Sequence, residues 1–461
     1  MIELNVKNFA LIKEASITLK RLNVFIGRNA SGKSYMLYLI WSLFSSEPDF
    51  KLLNIAVEEF ARRVLKGDIG IEDAVFGLIQ FFFDKLEEIW LNSFIENLKS
   101  TFGVENVVEL IGPYDSEMRI SLKVSGHLPL IDLTISEDEI KIKKPSAEDI
   151  RHAFKNFRFE KKVFSDRLSV RVYYDNELLV DEMVRRDIDN LSNLLFSGIF
   201  PLIFIRIWGI LPYLDACIMT DGRAGIIRLR EALTYAYYAS QIKSLLLQRP
   251  DIAFYRDVYG ITPIIKVKEI AEIADFIEKA LLFKIKFEPT LSEIFVEDII
   301  ADKKYPIVKA PSGVRELAPL IILLRYRLKE YSALFIEEPE THLHIDLQSI
   351  ITRALSRLYK HILFIILTTH SIHILDEIDN LLALNAIAEK DPSRLEKLGY
   401  SKEDSINPDD LAIYLFKRDT GEVKAVKVFK TGIDRTDLDL IMEELGNKYS
   451  LVKMIAEEEN I

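Results

Sequence analysis

The pattern of apolar and polar residues divides the first third of the chain into short strands, a buried helix and an amphipathic region. Three short apolar runs precede residue 27, and the apolar run at 35–44 that follows the next loop predicts a buried helix. From about residue 47 to 110, apolar residues recur at three- and four-residue spacings, which predicts amphipathic helices. From about 118 to 143 the residues alternate, which predicts a small antiparallel sheet.

The rest of the chain alternates between helical patterns and short apolar strands. A helical pattern resumes near Asp187. The later predicted elements are a hairpin at 294–308, a helix from Ser312, strands at 333–336 and 362–367, and a closing hairpin at 414–428. Strands that alternate with helices are typical of an α/β fold with a parallel sheet.

Composition and charge narrow the class of protein. Of the 461 residues, 49% are hydrophobic, and the formal net charge is −11. An acidic surface does not attract nucleic acid non-specifically, so any contact with DNA requires a local basic patch. The single cysteine, Cys217, excludes an intrachain disulfide and a paired-cysteine zinc motif, which favours a reduced, cytoplasmic location.

An apolar stretch at 194–214 is about long enough to span a bilayer. It contains Arg206 and two prolines, and core-like sequence follows it. We therefore interpret it as buried structure and expect no stable membrane insertion. The first residues of the chain alternate like a strand and lack the layout of a signal peptide.

A phosphate-binding motif stands directly before the predicted helix at 35–44. It has the pattern G-x-x-x-x-G-K-[ST], in which glycines let backbone N–H groups point at phosphate oxygens and the helix dipole favours the same anion. Lys33 would reach the β- and γ-phosphates, and the Ser34 hydroxyl would bind Mg²⁺. The predicted phosphate-binding residues are Gly27, Arg28, Asn29, Ala30, Ser31, Gly32, Lys33 and Ser34.

Two carboxylates and a histidine follow two neighbouring apolar strands. Glu337 ends the strand at 333–336 and is suited to hold Mg²⁺, and Glu338 is suited to orient or deprotonate an attacking water. His370 follows the strand at 362–367, where it could contact a γ-phosphate. The alternatives are two solvated surface glutamates and a structural histidine.

Ser312 and Gly313 open an apolar helix. The serine is suited to cap the N-terminus of that helix, which would also attract an anion. An ordinary capped helix without a ligand is the alternative.

These four motifs, in this order, resemble the ABC-type ATPases of the SMC/RecF/OLD group. In that group a Walker A loop, a serine–glycine signature, a Walker B strand with a second glutamate and a switch histidine form one composite ATP site. The resemblance implies that residues 27–34 are Walker A and that Ser312 and Gly313 are the signature. It also implies that Glu337 is the Walker B acid, Glu338 the catalytic base and His370 the switch residue.

The resemblance implies an architecture as well. It implies an α/β fold, an ABC-type P-loop ATPase head built from residues 1–45 and 201–461, with a large α-helical plus small antiparallel β insertion at 46–200. Because such heads bind ATP between two copies, it implies an ATP-dependent homodimer with Ser312 acting in trans. Arg223 lies in a segment similar to one in stand-alone OLD-like members, which makes it a further site candidate.

Two features of the family remain open at the level of sequence. The usual Q-loop glutamine has no clear match, since Gln241 and Gln248 are poor candidates. The loop at 339–344 resembles the dimer-interface loop of the group, but Glu340, His342 and His344 could instead suggest a metal site.

The predicted reaction is hydrolysis of ATP to ADP and phosphate, and one hypothesis couples it to DNA transactions such as repair or anti-phage defence. Residues 141–171 contain ten Lys or Arg and four Asp or Glu. The aromatic residues among them are Phe154, Phe157, Phe159 and Phe164. Basic groups with aromatic residues suit nucleic-acid contact. The alternative is an amphipathic helix with a buried phenylalanine face.

Other outputs for the ATP cycle belong to different classes of protein. A second hypothesis is a regulatory ATPase switch that controls a protein partner or toxin effector. An OLD-like nuclease is the runner-up enzyme, but the chain past His370 is short, and Asp437 and Asp439 fit the start of a helix better. A transporter motor fits less well, because Lys33 and Glu337 are far apart in sequence.

Overall fold

The computed structural model describes residues 1–124, 126–209, 214–229, 248–260, 267–288, 293–390 and 393–436. Gln241, Asp437 and Asp439 lie outside these ranges. The strands are β1 (Ile2–Phe9), β2 (Ile12–Leu19), β3 (Leu22–Gly27), β4 (Met118–Val124), β5 (Pro129–Ile135), β6 (Ile140–Ile142), β7 (Phe157–Val163), β8 (Arg167–Tyr174), β9 (Glu177–Arg185), β10 (Asp215–Met219), β11 (Phe283–Glu288), β12 (Glu293–Asp298), β13 (Lys303–Pro306), β14 (Ser332–Glu337), β15 (Phe364–Thr369), β16 (Leu411–Phe416), β17 (Glu422–Val426), β18 (Val428–Phe429) and β19 (Gly432–Ile433).

The α-helices of the described ranges connect these strands. They are α1 (Lys33–Ser45), α2 (Phe50–Lys66), α3 (Ile71–Asp84), α4 (Asn92–Phe102), α5 (Ala147–Phe154), α6 (Ile188–Asn193), α7 (Phe200–Trp208), α8 (Arg223–Arg228), α9 (Arg249–Tyr259), α10 (Lys268–Leu281), α11 (Ser312–Tyr326), α12 (Ile345–Leu358), α13 (Ile372–Lys390) and α14 (Ser393–Lys397). Short π-helical turns join α3 to α4 and α6 to α7.

An eleven-stranded mixed sheet forms the framework, in the order β10-β14-β15-β3-β16-β17-β2-β1-β4-β5-β6. The first five of these strands run parallel. Their carboxyl ends therefore meet at one edge, so the loops after β3, β10, β14 and β15 lie close together, as ligand-binding loops do in other α/β sheets. The predicted α/β fold class is confirmed.

The strands that carry the predicted site are fully covered by other parts of the chain. Every residue of β14 and β15 is buried. Their continuous apolar sequences are typical of parallel strands that are covered on both faces. Helix α1 is equally apolar and packs on β3, β10, β14 and β15, which fixes the phosphate loop against the same sheet.

Strands β4, β5 and β6 are antiparallel, as the alternation predicted, but they do not form a separate small sheet. Residues 119–124 of β4 pair with β1, so the strand extends the central sheet. Local alternation predicts a strand and says nothing about its neighbour, and the outer side of β1 offers unpaired backbone groups to a long-range partner.

The basic stretch at 141–171 is not an amphipathic helix. Only α5 is helical, and the chain then forms β7 and β8 of the three-stranded sheet β7-β8-β9. The expected buried phenylalanine face does exist, because Phe154 and Phe157 are each 6% exposed and pack against Phe159. Alternating Val and Tyr residues favour strands here over a helix.

The apolar stretch interpreted as buried structure is helical over residues 194–208. Within the described ranges, one helical segment, Ile188–Trp208, is long and apolar enough to cross a membrane by length and composition, and half of its apolar window is buried. It includes α6 and α7, which pack against α2 and α3.

Candidate functional site

The phosphate loop joins β3 to α1 and depends on its two glycines. Gly27 has a φ of 145°, and a Cβ there would lie 2.5 Å from the carbonyl oxygen of Phe416. Gly32 has a φ of 97°, and its Cβ would lie 2.9 Å from the side chain of Ile12. Because other residues rarely adopt these dihedral angles and would also clash, glycine is required at both turns of the loop.

Lys33 holds the loop in its curled form. The residue is 5% exposed, and its Nζ donates hydrogen bonds of 2.9 Å to the carbonyl oxygens of Gly27 and Arg28. Burial lowers the pKa of the Lys33 ammonium, whereas the nearby carboxylates of Glu338, Glu340 and Glu337 oppose that shift. The Lys33 side chain therefore lies between the phosphate loop and the glutamates at the end of β14.

The remaining loop residues are one buried serine and three exposed residues. The Ser31 hydroxyl is buried and has no hydrogen-bond partner within the described ranges. An orphaned buried donor fits an oxygen-rich ligand, because leaving it unpaired costs free energy. Arg28, Asn29 and Ala30 form the exposed rim of the loop.

Glu337 ends β14 opposite the start of α1. Its carboxylate accepts a hydrogen bond from the Tyr38 hydroxyl at 2.5 Å, one from the Asp221 backbone N–H at 3.4 Å, and one from Ser34. Burial raises the pKa of Glu337, and these hydrogen bonds act in the opposite direction. A hydroxyl and a carboxylate in contact are oxygen ligands of the kind Mg²⁺ prefers, so the residues fit this ion.

Glu338 and His370 face each other across the ends of β14 and β15. Glu338 Oε1 lies 3.2 Å from His370 Nδ1, and the two side chains are 29% and 48% exposed. Glu338 adopts a φ of 42°, and its N–H bonds the carbonyl oxygen of Thr368 at 3.1 Å. A non-glycine residue in the left-handed region is strained, and such strain is concentrated at functional sites.

Glu340 is a site residue whose position the sequence did not reveal. It is 5% exposed, and its Oε1 accepts hydrogen bonds from Thr369 Oγ1 at 2.6 Å and from the His370 N–H at 3.0 Å. The same oxygen lies 3.8 Å from His370 Nδ1. The sequence places it two residues beyond Glu338, but only the fold brings it into contact with His370.

The loop at 339–344 does not gather its side chains into a metal site. Glu340 turns inward to Thr369, whereas His344 is 81% exposed and pairs with Asp346 at 2.7 Å. Among the described residues, no group of three or more His, Cys, Asp or Glu could hold a metal ion. Instead, the loop and the residues after β15 enclose an open cavity of about 530 Å³ beside Glu338.

Ser312 begins α11 but does not cap it, so the predicted capping role is wrong. Pro311 occupies the cap position in an extended conformation, and the helix has no side-chain capping bond. Ser312 is exposed as a result, and its hydroxyl is not used by the helix. A Cβ on Gly313 would lie 3.5 Å from Leu347 and 3.7 Å from Leu343, which places the helix start against the loop after β14.

Arg223 lies behind the site and is 1% exposed. Its guanidinium donates hydrogen bonds to the carbonyl oxygens of Thr220 at 3.0 Å, Glu337 at 2.9 Å and Glu338 at 2.9 Å. Burial lowers the pKa of Arg223, and the carboxylate of Glu316 opposes that shift. Arg223 therefore supports the backbone of the acidic pair and does not project into the open part of the site.

One family model matches most of the chain. The family model described as an AAA ATPase domain matches residues 1–180 and 256–375. No curated protein shows a significant sequence match. The chain is similar to the SMC head domain from Thermotoga maritima, with 11% identity, a TM-score of 0.37 and coverage of 93% of this chain and 98% of that one.

Two further solved structures show a similarly distant likeness. One is an Smc head bound to the C-terminal winged-helix domain of ScpA, with 12% identity, a TM-score of 0.39 and coverage of 92% and 96%. The other is the Smc head with an extended coiled coil bound to the C-terminal domain of ScpA, derived from Pyrococcus furiosus, with 11% identity, a TM-score of 0.34 and coverage of 96% and 100%. The predicted recognition as an ATPase is supported by the family match, and the assignment to the SMC/RecF/OLD group stays a prediction. The chain belongs to the AAA ATPase domain family.

Proposed function

We propose that the protein binds ATP with Mg²⁺ and hydrolyses it between the heads of a homodimer. The observation that carries this proposal is the meeting of three features at one sheet edge. These are the buried Lys33 in its loop, the contact between Ser34 and Glu337, and the contact between Glu338 and His370. Phosphoryl transfer needs these parts: a cationic cradle, a metal site and a group that orients water.

In this proposal each side chain has one task in an in-line attack of water on the γ-phosphorus. The loop N–H groups and Lys33 hold the β- and γ-phosphates and neutralise their charge. Glu338 orients the water and accepts its proton as the bond to the bridging oxygen breaks and ADP leaves. His370 contacts the γ-phosphate, and Mg²⁺, bound by Ser34 and Glu337, would supply positive charge to the phosphate oxygens.

A second copy of the chain completes the proposed site. Ser312 is exposed, and its hydroxyl makes no capping bond. A hydroxyl in this position at a helix N-terminus is available to the phosphates of a nucleotide bound by the second copy, which supports a role in trans. The head is proposed to comprise residues 1–45 and 201–461, with 46–200 as an insertion.

Coupling to DNA is proposed on a narrower basis than the sequence suggested. Phe154, Phe157 and Phe159 pack against one another, so they are not available to stack on bases. The tip of the β7–β8 hairpin keeps Phe164 48% exposed, and the exposed cations around it support contact with an anionic polymer. These cations are Lys162, Arg167, Arg185 and Arg186.

A gel shift at rising salt tests this DNA contact, with charge-removing variants of Lys162 and Arg185. DNA coupling predicts a salt-sensitive shift that both variants weaken. An unchanged shift, or none with the wild-type protein, would leave the regulatory switch with a protein partner as the proposed output. Co-purification of a specific protein would support that second output.

Steady-state ATPase assays on the wild-type protein and two variants test the proposed reaction. Glu338→Gln keeps the size of the side chain and removes its proton-accepting charge, so turnover should fall at least about 100-fold while ATP still binds. Glu330→Gln is the matched control, because Glu330 is exposed and lies just before the start of β14, away from the site. This variant should hydrolyse ATP like the wild type. Equal rates for all three proteins would refute the assignment of Glu338.

A further inference from the structure

We propose that Arg223 is a positioning residue that couples the helix carrying Ser312 to the catalytic carboxylate of Glu338. This inference rests on the proposed ATPase function and adds to it a route by which dimer closure sets the hydrolytic group. Arg223 touches neither water nor nucleotide in this proposal. It acts through the backbone of Glu337 and Glu338.

The coupling begins at a buried ion pair. Arg223 Nε lies 2.8 Å from Glu316 Oε2, and both side chains are 1% exposed. Glu316 stands on α11 one helical turn beyond Ser312, so the two residues move together with the first turns of this helix. Water does not screen a pair buried to this degree, and separating its members would leave an uncompensated charge in the core.

The same guanidinium fixes the backbone at the end of β14. Its Nη1 donates to the carbonyl oxygen of Glu337 and its Nη2 to that of Glu338, each at 2.9 Å. Glu338 is held in a strained left-handed conformation by these bonds and by the bond from its N–H to Thr368. A planar, five-donor group can serve the helix and both carbonyl oxygens at once, which a lysine cannot do.

The direction of the coupling follows from which surfaces are exposed. Ser312, at the exposed start of α11, is accessible to a nucleotide bound by the partner, whereas Glu316, one turn further along, is buried. A shift of the first turns of α11 on dimer closure is therefore passed through Arg223 to the carbonyl oxygen of Glu338. Displacements of about 1 Å in a positioned group change rates by up to about 100-fold, so this coupling is large enough to gate turnover.

A second ion pair, at the other end of α11 and β10, provides a matched control. Arg327, just after the last residue of α11, forms a half-buried ion pair with Asp215 at the start of β10. Arg223 and Glu316 join the first turns of α11 to the region after β10. Each pair joins one end of α11 to the start of β10 or to the segment after it, but only the Arg223 pair lies at the catalytic edge.

Three variants test the proposal: Arg223→Lys, Glu316→Gln and the control Arg327→Lys. We expect Arg223→Lys and Glu316→Gln to lower kcat for ATP about 10- to 100-fold, with the Kd for ATP changed less than about threefold. Arg327→Lys should lower thermal stability while kcat per folded molecule stays within about threefold of the wild-type value. Glu316→Gln keeps the shape of the buried side chain and serves if Arg223→Lys does not fold.

Hydrogen exchange without nucleotide supplies a second readout that does not depend on ATP hydrolysis. The Glu338 amide and the amides of the first turn of α11 should exchange faster in Arg223→Lys and in Glu316→Gln than in the wild type. Their exchange rates should be unchanged in Arg327→Lys. Equal effects of the Arg223 and Arg327 variants on kcat and exchange would overturn the coupling. A wild-type protein without ATPase activity would refute the proposed function instead, while the exchange pattern would still decide whether Arg223 links the helix to Glu338.

Discussion

Replacing Tyr38 by phenylalanine removes one hydroxyl from the proposed Mg²⁺ site and leaves the ring in place. That hydroxyl lies one turn beyond Ser34 on α1 and donates to Glu337 Oε2 at 2.5 Å. A hydrogen bond to a charged group contributes roughly 1.5–3 kcal/mol. Loss of a partner that orients a metal ligand typically lowers affinity about 10- to 100-fold, so we expect Tyr38→Phe to raise the Mg²⁺ concentration for half-maximal ATPase activity about tenfold.

The pKa of Glu337 gives this prediction a sign in pH. Burial raises that pKa above 4.5, and the Tyr38 hydrogen bond lowers it, so Tyr38→Phe should raise it further. Mg²⁺ binds the ionised carboxylate, so the affinity for Mg²⁺ increases as Glu337 loses its proton. In the variant this increase should occur at a higher pH than in the wild type. In the nucleotide-free protein, the raised pKa of Glu337 stabilises the folded state at pH values below the pKa that this residue has in the unfolded chain. This stabilisation is lost as the pH rises through the pKa of Glu337 in the folded protein.

The assay is ATPase activity titrated with Mg²⁺ at several pH values from about 5 to 8. Tyr35→Phe is the matched control, because Tyr35 is on the same helix and stacks on Phe102. It should leave the Mg²⁺ dependence unchanged. If both variants share the Mg²⁺ dependence of the wild-type protein at every pH, the assignment of Glu337 and Tyr38 to the metal site is refuted.

Three other substitutions test separate parts of the account. Gly27→Ala should lower the free energy of unfolding by about 1–3 kcal/mol in urea, more than Gly103→Ala, because both have a positive φ but only Gly27 has a carbonyl oxygen 2.5 Å from the new Cβ. Lys33→Met should weaken ATP binding at least about 100-fold by calorimetry, and unchanged binding would contradict the phosphate cradle. His370→Asn should lower kcat about 10- to 100-fold with little change in the Kd for ATP, and a selective loss of binding would contradict its contact with the γ-phosphate in the transition state.

The parts of the site that the sequence predicted are those written in short contiguous patterns. The phosphate loop and the pair Glu337–Glu338 each follow a strand whose apolar run is visible, so their placement at one sheet edge follows from the parallel order. Residues such as Tyr38, Asp221 and Glu340 could not be predicted in this way. They reach the site through tertiary contacts between α1, the segment after β10 and the loop after β14.

Two predictions about structure failed because they depended on contacts distant in sequence or on a neighbouring residue. The strand β4 joins the central sheet by pairing with β1, and no local pattern records that partner. Pro311, and not Ser312, occupies the position before the first helical turn, because the fixed φ of proline suits that position. Arg223, a site candidate from the family resemblance, lies behind the acidic pair and contacts Glu316 and backbone carbonyl oxygens, which no local sequence pattern indicates.

If a second copy of the chain completes the ATP site, the molar mass of the Glu338→Gln variant must depend on the bound nucleotide. Light scattering after size-exclusion chromatography should be run with ATP and Mg²⁺, with ADP and Mg²⁺, and without nucleotide. We expect twice the mass of one chain only with ATP and Mg²⁺, and the mass of one chain under the same condition when Ser312→Arg is added to this variant. One chain's mass under all three conditions would contradict it.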